Sequence, residues 1–144
     1  MIPLNKNPGV RPIGIGETLR RIIGKAMNCV LKDDIQESAG PLQAATGLQG
    51  GAEAAIHAMK IMFDKDETEG LILVDANNAF NSLNRQVALH NIQIICPYFA
   101  TILINTYRQP SRLIILGAED IMSTEGTTQW ANLSMSLYAL GTRP

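Results

Sequence analysis

The sequence predicts an α+β fold in which helices outnumber strands. Apolar residues recur every three to four positions over several long stretches, which is typical of helices packed on one side. Two short runs, 71–74 and 112–116, have the length and composition of strands. The chain has 144 residues, of which 46% are hydrophobic and 17% charged. This length allows one folded domain, and the low charge argues against intrinsic disorder.

Proline and glycine divide the first half of the chain. Residues 1–12 contain three prolines and a glycine and are predicted to be loop or extended chain. A first helix is predicted to begin at Glu17 or Thr18 and to end before Gly40. Gly24 costs this helix roughly 1 kcal/mol relative to alanine. After the small-residue loop 40–51, a second helix places these apolar residues on one face: Ala52, Ala55, Ile56, Met59, Met62 and Phe63.

The second half alternates polar turns with apolar elements. The polar turn 64–70 leads into the predicted strand 71–74, which we expect to be buried on both faces. The elements predicted after it are the polar connection 75–82, helices from about Asn84 to Ile95 and from about Tyr98 to Tyr107, a hairpin of strand 112–116 with 121–123 around a turn at 117–120, and a short helix from Leu133 to Leu140.

Composition excludes several classes of protein. The net charge of -1 excludes a nucleic-acid-binding protein that is basic as a whole. Two cysteines, Cys29 and Cys96, argue against a disulfide scaffold and suit a reducing compartment. No apolar run approaches the ~20 residues that span a bilayer, and the first residues lack the apolar core of a signal peptide. We therefore expect an intracellular protein without a membrane partner, in either the cytoplasm or the nucleus.

Charge is distributed unevenly along the chain. Residues 1–32 carry six basic residues against the single acid Glu17, a net +5, so the rest of the chain carries -6. Such asymmetry indicates a basic face at the N-terminal end. Two interpretations are open: a solvated helix surface, or a face that meets the backbone of a nucleic acid.

Asp75 is a carboxylate directly after an apolar run. One interpretation is a helix N-cap or a satisfied turn residue. The other is a ligand of a hard cation such as Mg²⁺. One carboxylate does not make a two-metal site, whose ions lie roughly 3.5–4 Å apart and share ligands. The sequence lacks the spacing of a P-loop, a dinucleotide fingerprint, a zinc site or a hydrolase elbow.

Four segments are informative through their order and spacing. They are 11–25, which opens with Arg-Pro-Ile; 42–54, a glycine-containing loop; 73–82, which contains Asp75; and 126–135, which contains Leu-Ser-Met. In this order they resemble the fingers-palm region of reverse transcriptases of non-LTR retrotransposons and related mobile elements. The resemblance spans about residues 8–140.

The resemblance implies a partial fingers-palm of a right-hand polymerase, with a short antiparallel palm sheet and packed helices. Residues 1–144 would form a single partial domain, fingers-like over about 1–65 and palm-like over about 66–144. Its partners would be an RNA or DNA template-primer and a dNTP. The reaction would be attack of a primer 3′-hydroxyl on the α-phosphate, assisted by two Mg²⁺ ions.

The resemblance also implies roles for individual residues. Asp75 would bind the catalytic Mg²⁺, assisted by the carbonyl of Ala76. Phe80 would pack under the nucleotide sugar and exclude a 2′-hydroxyl; the alternative is an ordinary core aromatic. Arg11 would hold the triphosphate through its planar fork of donors, and Gln129 would contact the nucleotide or the template. The template backbone would meet three basic residues of the first helix: Arg20, Arg21 and Lys25.

Two departures from the family bear on activity. The family places an aromatic-x-Asp-Asp hairpin, with the second metal-binding carboxylate, after the Leu-Ser helix, and the sequence ends at Pro144 before it. Residues 130–132 read Trp-Ala-Asn where Gly-Asp-Pro is usual. We therefore expect a fragment of an RNA-directed DNA polymerase, lacking the rest of the palm and the thumb, that is inactive alone. The alternatives are a non-catalytic nucleic-acid-binding remnant and a decayed retroelement product without function or stable fold.

Overall fold

Helices outnumber strands in the structure, which confirms the predicted α+β class. The computed structural model describes residues 2–5, 7, 10–44, 46, 48–65, 67–128 and 131–143. Their elements are β1 (Ile2–Asn5), β2 (Val10–Ile13), α1 (Thr18–Val30), α2 (Lys32–Ala39), α3 (Gly51–Phe63), α4 (Arg85–Ile95), α5 (Pro97–Tyr107), β3 (Ser111–Leu113), β4 (Ile121–Ser123) and α6 (Ser134–Gly141). β1 pairs with β2 and β3 with β4, both antiparallel, in separate sheets.

The core lies between α4, α5 and α6, with α2 packed beside them. α4 begins where the Asn84 side chain accepts a hydrogen bond from the Val87 amide at 3.0 Å. α5 begins at Pro97, whose missing N–H is not needed in the first turn of a helix. The fully buried large side chains are Ile92, Phe99, Leu103, Leu137 and Leu140. Both α4 and α5 thus start within a residue of where the sequence predicts them.

The predicted first helix is two helices. α1 ends at Val30 and α2 begins at Lys32, with Leu31 between them at φ -99° and ψ 17°. The periodic apolar residues of α1 are largely exposed: Leu19 by 67%, Ile22 by 60% and Val30 by 74%. Helical periodicity therefore predicts the helix correctly but does not predict that this face is buried.

The predicted strand 71–74 is wrong. All four residues are described, none of them is in a strand, and they are exposed, Ile72 and Val74 each by 88%. A strand needs a neighbour to satisfy its backbone hydrogen bonds. In the described part of the chain, each sheet is a two-stranded pair, and neither offers its edge to residues 71–74. Strand β3 is also shorter than predicted, at Ser111–Leu113, although its pairing with β4 is confirmed.

Two strands near the start of the chain form an antiparallel pair. β1 and β2 pair in the register Ile2 with Ile13 and Asn5 with Val10. The sequence predicts extended chain here without identifying the pairing. Among the described residues, no helix has the length and apolar character needed to cross a membrane.

Candidate nucleic-acid interface

A cleft of about 390 Å³ opens between the start of α1, the end of α5, the β3–β4 hairpin and residues 128 and 131–133. Four arginines line it: Arg20, Arg21, Arg85 and Arg112. Among the described lining residues, the acidic one is Glu17. We call this cavity the arginine cleft. Its charge suits an anionic ligand, because arginines outnumber acidic residues in the described lining.

Segments far apart in the sequence form one wall of the arginine cleft. The Asn132 side-chain amide donates to the Arg21 carbonyl at 2.6 Å, and the Asn28 amide donates to the Asn132 carbonyl at 2.5 Å. A methyl group on Gly24 would lie 3.2 Å from the Asn132 Cβ, so glycine allows this close approach. A methyl group on Gly14 would overlap the Thr128 side chain. The cost of glycine inside α1 therefore has a packing reason.

The four arginines differ in their surroundings. Arg20 and Arg21 are exposed. Arg112 forms an ion pair with Asp120 at 3.2 Å and keeps 68% of its side chain exposed. Among the described residues, no carboxylate lies within 4.0 Å of the other three guanidinium groups. Burial lowers the pKa of the Arg85 guanidinium, while Tyr107 and Glu125 act in the opposite direction.

Buried hydroxyl groups support the wall of the arginine cleft at Thr128. The Tyr107 and Thr127 hydroxyls lie 2.8 Å apart, and the Thr127 and Ser134 hydroxyls lie 3.0 Å apart. The Ser134 hydroxyl donates to the Thr128 carbonyl at 2.6 Å. This chain of hydrogen bonds ties α5 to the first turn of α6. It satisfies polar groups that would be costly to bury alone.

The predicted nucleic-acid-binding residues lie on α1. Arg20 and Arg21 line the arginine cleft, whereas Lys25 is exposed on the same helix outside the lining. The backbone of Arg11 pairs with Leu4 in the β1–β2 hairpin, but its side chain lies outside the described part of the structure. Gln129 also lies outside the described residues. The nucleotide contacts predicted for Arg11 and Gln129 therefore stay predictions.

Asp75 and Ala76 are exposed and lie outside the arginine cleft. Residues 75–84 are all described and no helix begins among them, so Asp75 is not an N-cap. The part of the chain that the structure describes contains no group of three or more His, Cys, Asp or Glu side chains placed to hold a metal ion. One exposed carboxylate does not fit a two-metal site on its own. Magnesium binding at Asp75 therefore stays a prediction.

Phe80 packs against Tyr138 of α6. The ring centroids lie 5.0 Å apart with the planes tilted by 40°, a favourable arrangement for two aromatic rings. The Phe80 carbonyl also accepts a hydrogen bond from the Thr127 amide at 2.7 Å. The ring contact favours the interpretation of Phe80 as a packing aromatic, with the residue half-buried. Its predicted contact with a nucleotide sugar stays a prediction.

Sequence reasoning missed Arg85 and Arg112. Each is an isolated basic residue, and they reach the arginine cleft from the start of α4 and from β3. Comparison of the chain with protein-family models, curated proteins and solved structures finds no match. The function must therefore be inferred from the arginine cleft and from the four segments that resemble reverse transcriptases.

Proposed function

We propose that the chain is a fragment of a reverse-transcriptase-like polymerase and that the arginine cleft binds the backbone of the template or primer. One observation carries the proposal. The first and last of the four resembling segments, 11–25 and 126–135, meet at this cleft through Asn132 and Gly24. Segments about a hundred residues apart thus contribute to one cavity, and that cavity is rich in arginine.

The lining of the arginine cleft suits a nucleic acid in two respects. Arginine presents a planar fork of donors that matches the oxygens of a phosphate. Ile15, Ile23 and Leu113 add apolar surface beside the arginines, which suits sugar and base faces. Contacts of this kind depend on salt and tolerate any sequence. We expect binding to single-stranded RNA or DNA without sequence preference.

Replacing Arg20 and Arg21 together by alanine is expected to weaken RNA binding by about tenfold or more at low salt. The slope of log affinity against log salt should become shallower by roughly 0.7 for every phosphate of a single-stranded RNA that the variant no longer neutralises. Fluorescence anisotropy of a labelled RNA oligonucleotide over a salt series measures both quantities.

The matched control is Lys60→Ala with Lys65→Ala, which removes the same charge from exposed residues outside the arginine cleft. This variant should bind almost as tightly as the wild type. Equal decreases of affinity in the two double variants would favour the solvated-surface interpretation of the basic residues and contradict a site at the cleft.

The fragment is expected to lack polymerase activity. In the intact polymerase that the resemblance implies, Asp75 would be one of several carboxylates around Mg²⁺. Among the described residues, Asp75 belongs to no group of three or more His, Cys, Asp or Glu side chains that could hold a metal ion. Primer extension on an RNA template with Mg²⁺ should therefore equal the background of Asp75→Ala.

Asp75→Asn supplies a second readout for the same question. Because Asp75 lies outside the arginine cleft, this substitution should leave RNA affinity unchanged. That result would fit the alternative in which the chain binds nucleic acid without catalysis. Robust Mg²⁺-dependent extension that Asp75→Ala abolishes would overturn the expectation of inactivity.

A further inference from the structure

Arg85 is a buried cation held mainly by carbonyl groups. Its side chain is buried, with 5% of the residue exposed. Nε donates to the Gly126 carbonyl at 2.9 Å, and Nη1 donates to the Ser123 carbonyl at 3.1 Å. Nη2 donates to the Ser123 hydroxyl at 3.0 Å and to the Glu125 carbonyl at 2.9 Å. The guanidinium carbon lies 5.4 Å from the centre of the Tyr107 ring.

Segment 123–127 is bound to residues 80–85 by backbone groups as well. The Arg85 amide donates to the Glu125 carboxylate at 3.0 Å, which places a negative charge at the N-terminus of α4. The Gly126 amide donates to the Leu83 carbonyl at 2.9 Å, and the Thr127 amide donates to the Phe80 carbonyl at 2.7 Å. Segment 123–127 leads directly into Thr128, which lines the arginine cleft.

We infer that Arg85 is a positioning residue of the arginine cleft. It fixes segment 123–127, and thereby the wall at Thr128, and it does not contact the bound nucleic acid. Most of its N–H donors are used by the protein, so few remain for a phosphate. The part of this inference that concerns RNA depends on the proposed function, whereas the fixing of segment 123–127 does not.

Two substitutions separate positioning from direct contact. Arg85→Lys keeps the positive charge but lacks the planar fork that reaches several acceptors at once. Arg85→Met removes both. If Arg85 positions the wall, Arg85→Lys should lose as much RNA affinity as Arg85→Met. If Arg85 binds phosphate, lysine restores most of the affinity.

The test measures amide hydrogen exchange and RNA affinity on the whole chain. In Arg85→Lys, the rate of amide exchange over residues 123–128 should rise by about tenfold, because the free energy of local opening falls. The amides of α5 should keep their protection. RNA affinity should fall by a similar factor in the lysine and methionine variants, with the salt slope unchanged. Arg108→Lys is the control, since Arg108 is exposed and outside the arginine cleft.

Three other outcomes would contradict either the inference about Arg85 or the proposed function. Unchanged exchange over 123–128 in Arg85→Lys overturns the inference, as does rescue by lysine with a salt slope reduced by roughly 0.7 in the methionine variant. A wild-type chain that binds no RNA overturns the proposed function, and the exchange data still decide whether Arg85 fixes the segment.

Ser123→Ala keeps the test decisive if the Arg85 variants do not fold. It removes one acceptor of Nη2 and leaves the guanidinium in place. Exchange should rise over 123–128 alone. Reduced protection across α5 in this mild variant would overturn the inference, because segment 123–127 would then be part of the core rather than a separately held wall.

Discussion

Replacing Gly126 by alanine is expected to lower the free energy of unfolding by about 3 kcal/mol or more. Gly126 has φ +68°, a left-handed conformation that is strained for alanine. A Cβ at this position would also overlap the backbone of Asn81. The segments that contain Gly126 and Asn81 cannot easily move apart, because the Gly126 amide donates a hydrogen bond to the Leu83 carbonyl. Urea denaturation followed by circular dichroism measures the decrease.

Gly117→Ala is the matched control. Gly117 has a similar φ of +79°, but among the described atoms nothing beyond its chain neighbours lies within 4 Å of a Cβ placed there. This variant should be destabilised only by the conformational strain, about 1 kcal/mol. Equal destabilisation of the two variants would show that the close approach to Asn81 costs nothing.

Packing against residues 80–83 requires glycine at position 126, the first residue of the resembling segment 126–135. Glycine there lets segment 123–127 lie directly on the turn at residues 80–83. The same docking brings Arg85 to its carbonyl partners. A packing requirement thus operates at this glycine whether or not a nucleotide approaches it.

Local signals predicted the elements that local interactions determine. α4 begins after the cap Asn84, and α5 begins at Pro97. Both starts could be predicted, because capping and the effect of proline depend only on residues close in the sequence. The β3–β4 hairpin has a nearby partner, so its pairing could also be predicted. In each case the residues that make the element lie close together in the sequence.

Long-range contacts explain why the strand predicted at 71–74 is absent and why the apolar face of α1 is exposed. Residues 71–74 have the composition of a buried strand, but composition does not supply the neighbouring strand that they need. The apolar face of α1 has helical spacing. The residues of α1 that approach Asn132 are nevertheless Arg21, Gly24 and Asn28, which that spacing does not single out. Burial depends on which surfaces meet, and periodicity does not name the partner.

The sequence predicted two of the arginines that line the cleft, but not the cleft itself, for the same reason. Arg20 and Arg21 are adjacent, so their charge is visible as an excess over residues 1–32. Arg85 and Arg112 are isolated in the sequence and join the cleft only through the packing of α4 and β3. A search for arginines placed just before or within short elements would have suggested them without showing that they meet.

Replacing Phe99 by alanine is expected to cost about 3–5 kcal/mol of folding free energy. The Phe99 side chain is fully buried in the core between α4, α5 and α6, so its removal leaves a cavity among the core residues, which include Ile92, Leu103 and Leu137. Natural domains are stable by only about 5–15 kcal/mol. We expect the variant to be partly or wholly unfolded at physiological temperature, as thermal denaturation followed by circular dichroism would show.

Tyr98→Ala is the control for Phe99→Ala, because Tyr98 is the preceding residue of α5 and is 78% exposed. Its removal should change stability by no more than about 0.5 kcal/mol. The comparison also tests the alternative of a decayed product without a stable fold. Such a chain would melt without cooperativity, and the two variants would then be indistinguishable from each other and from the wild type. A cooperative wild-type transition that Phe99→Ala alone lowers would contradict that alternative and leave nucleic-acid binding as the property to measure.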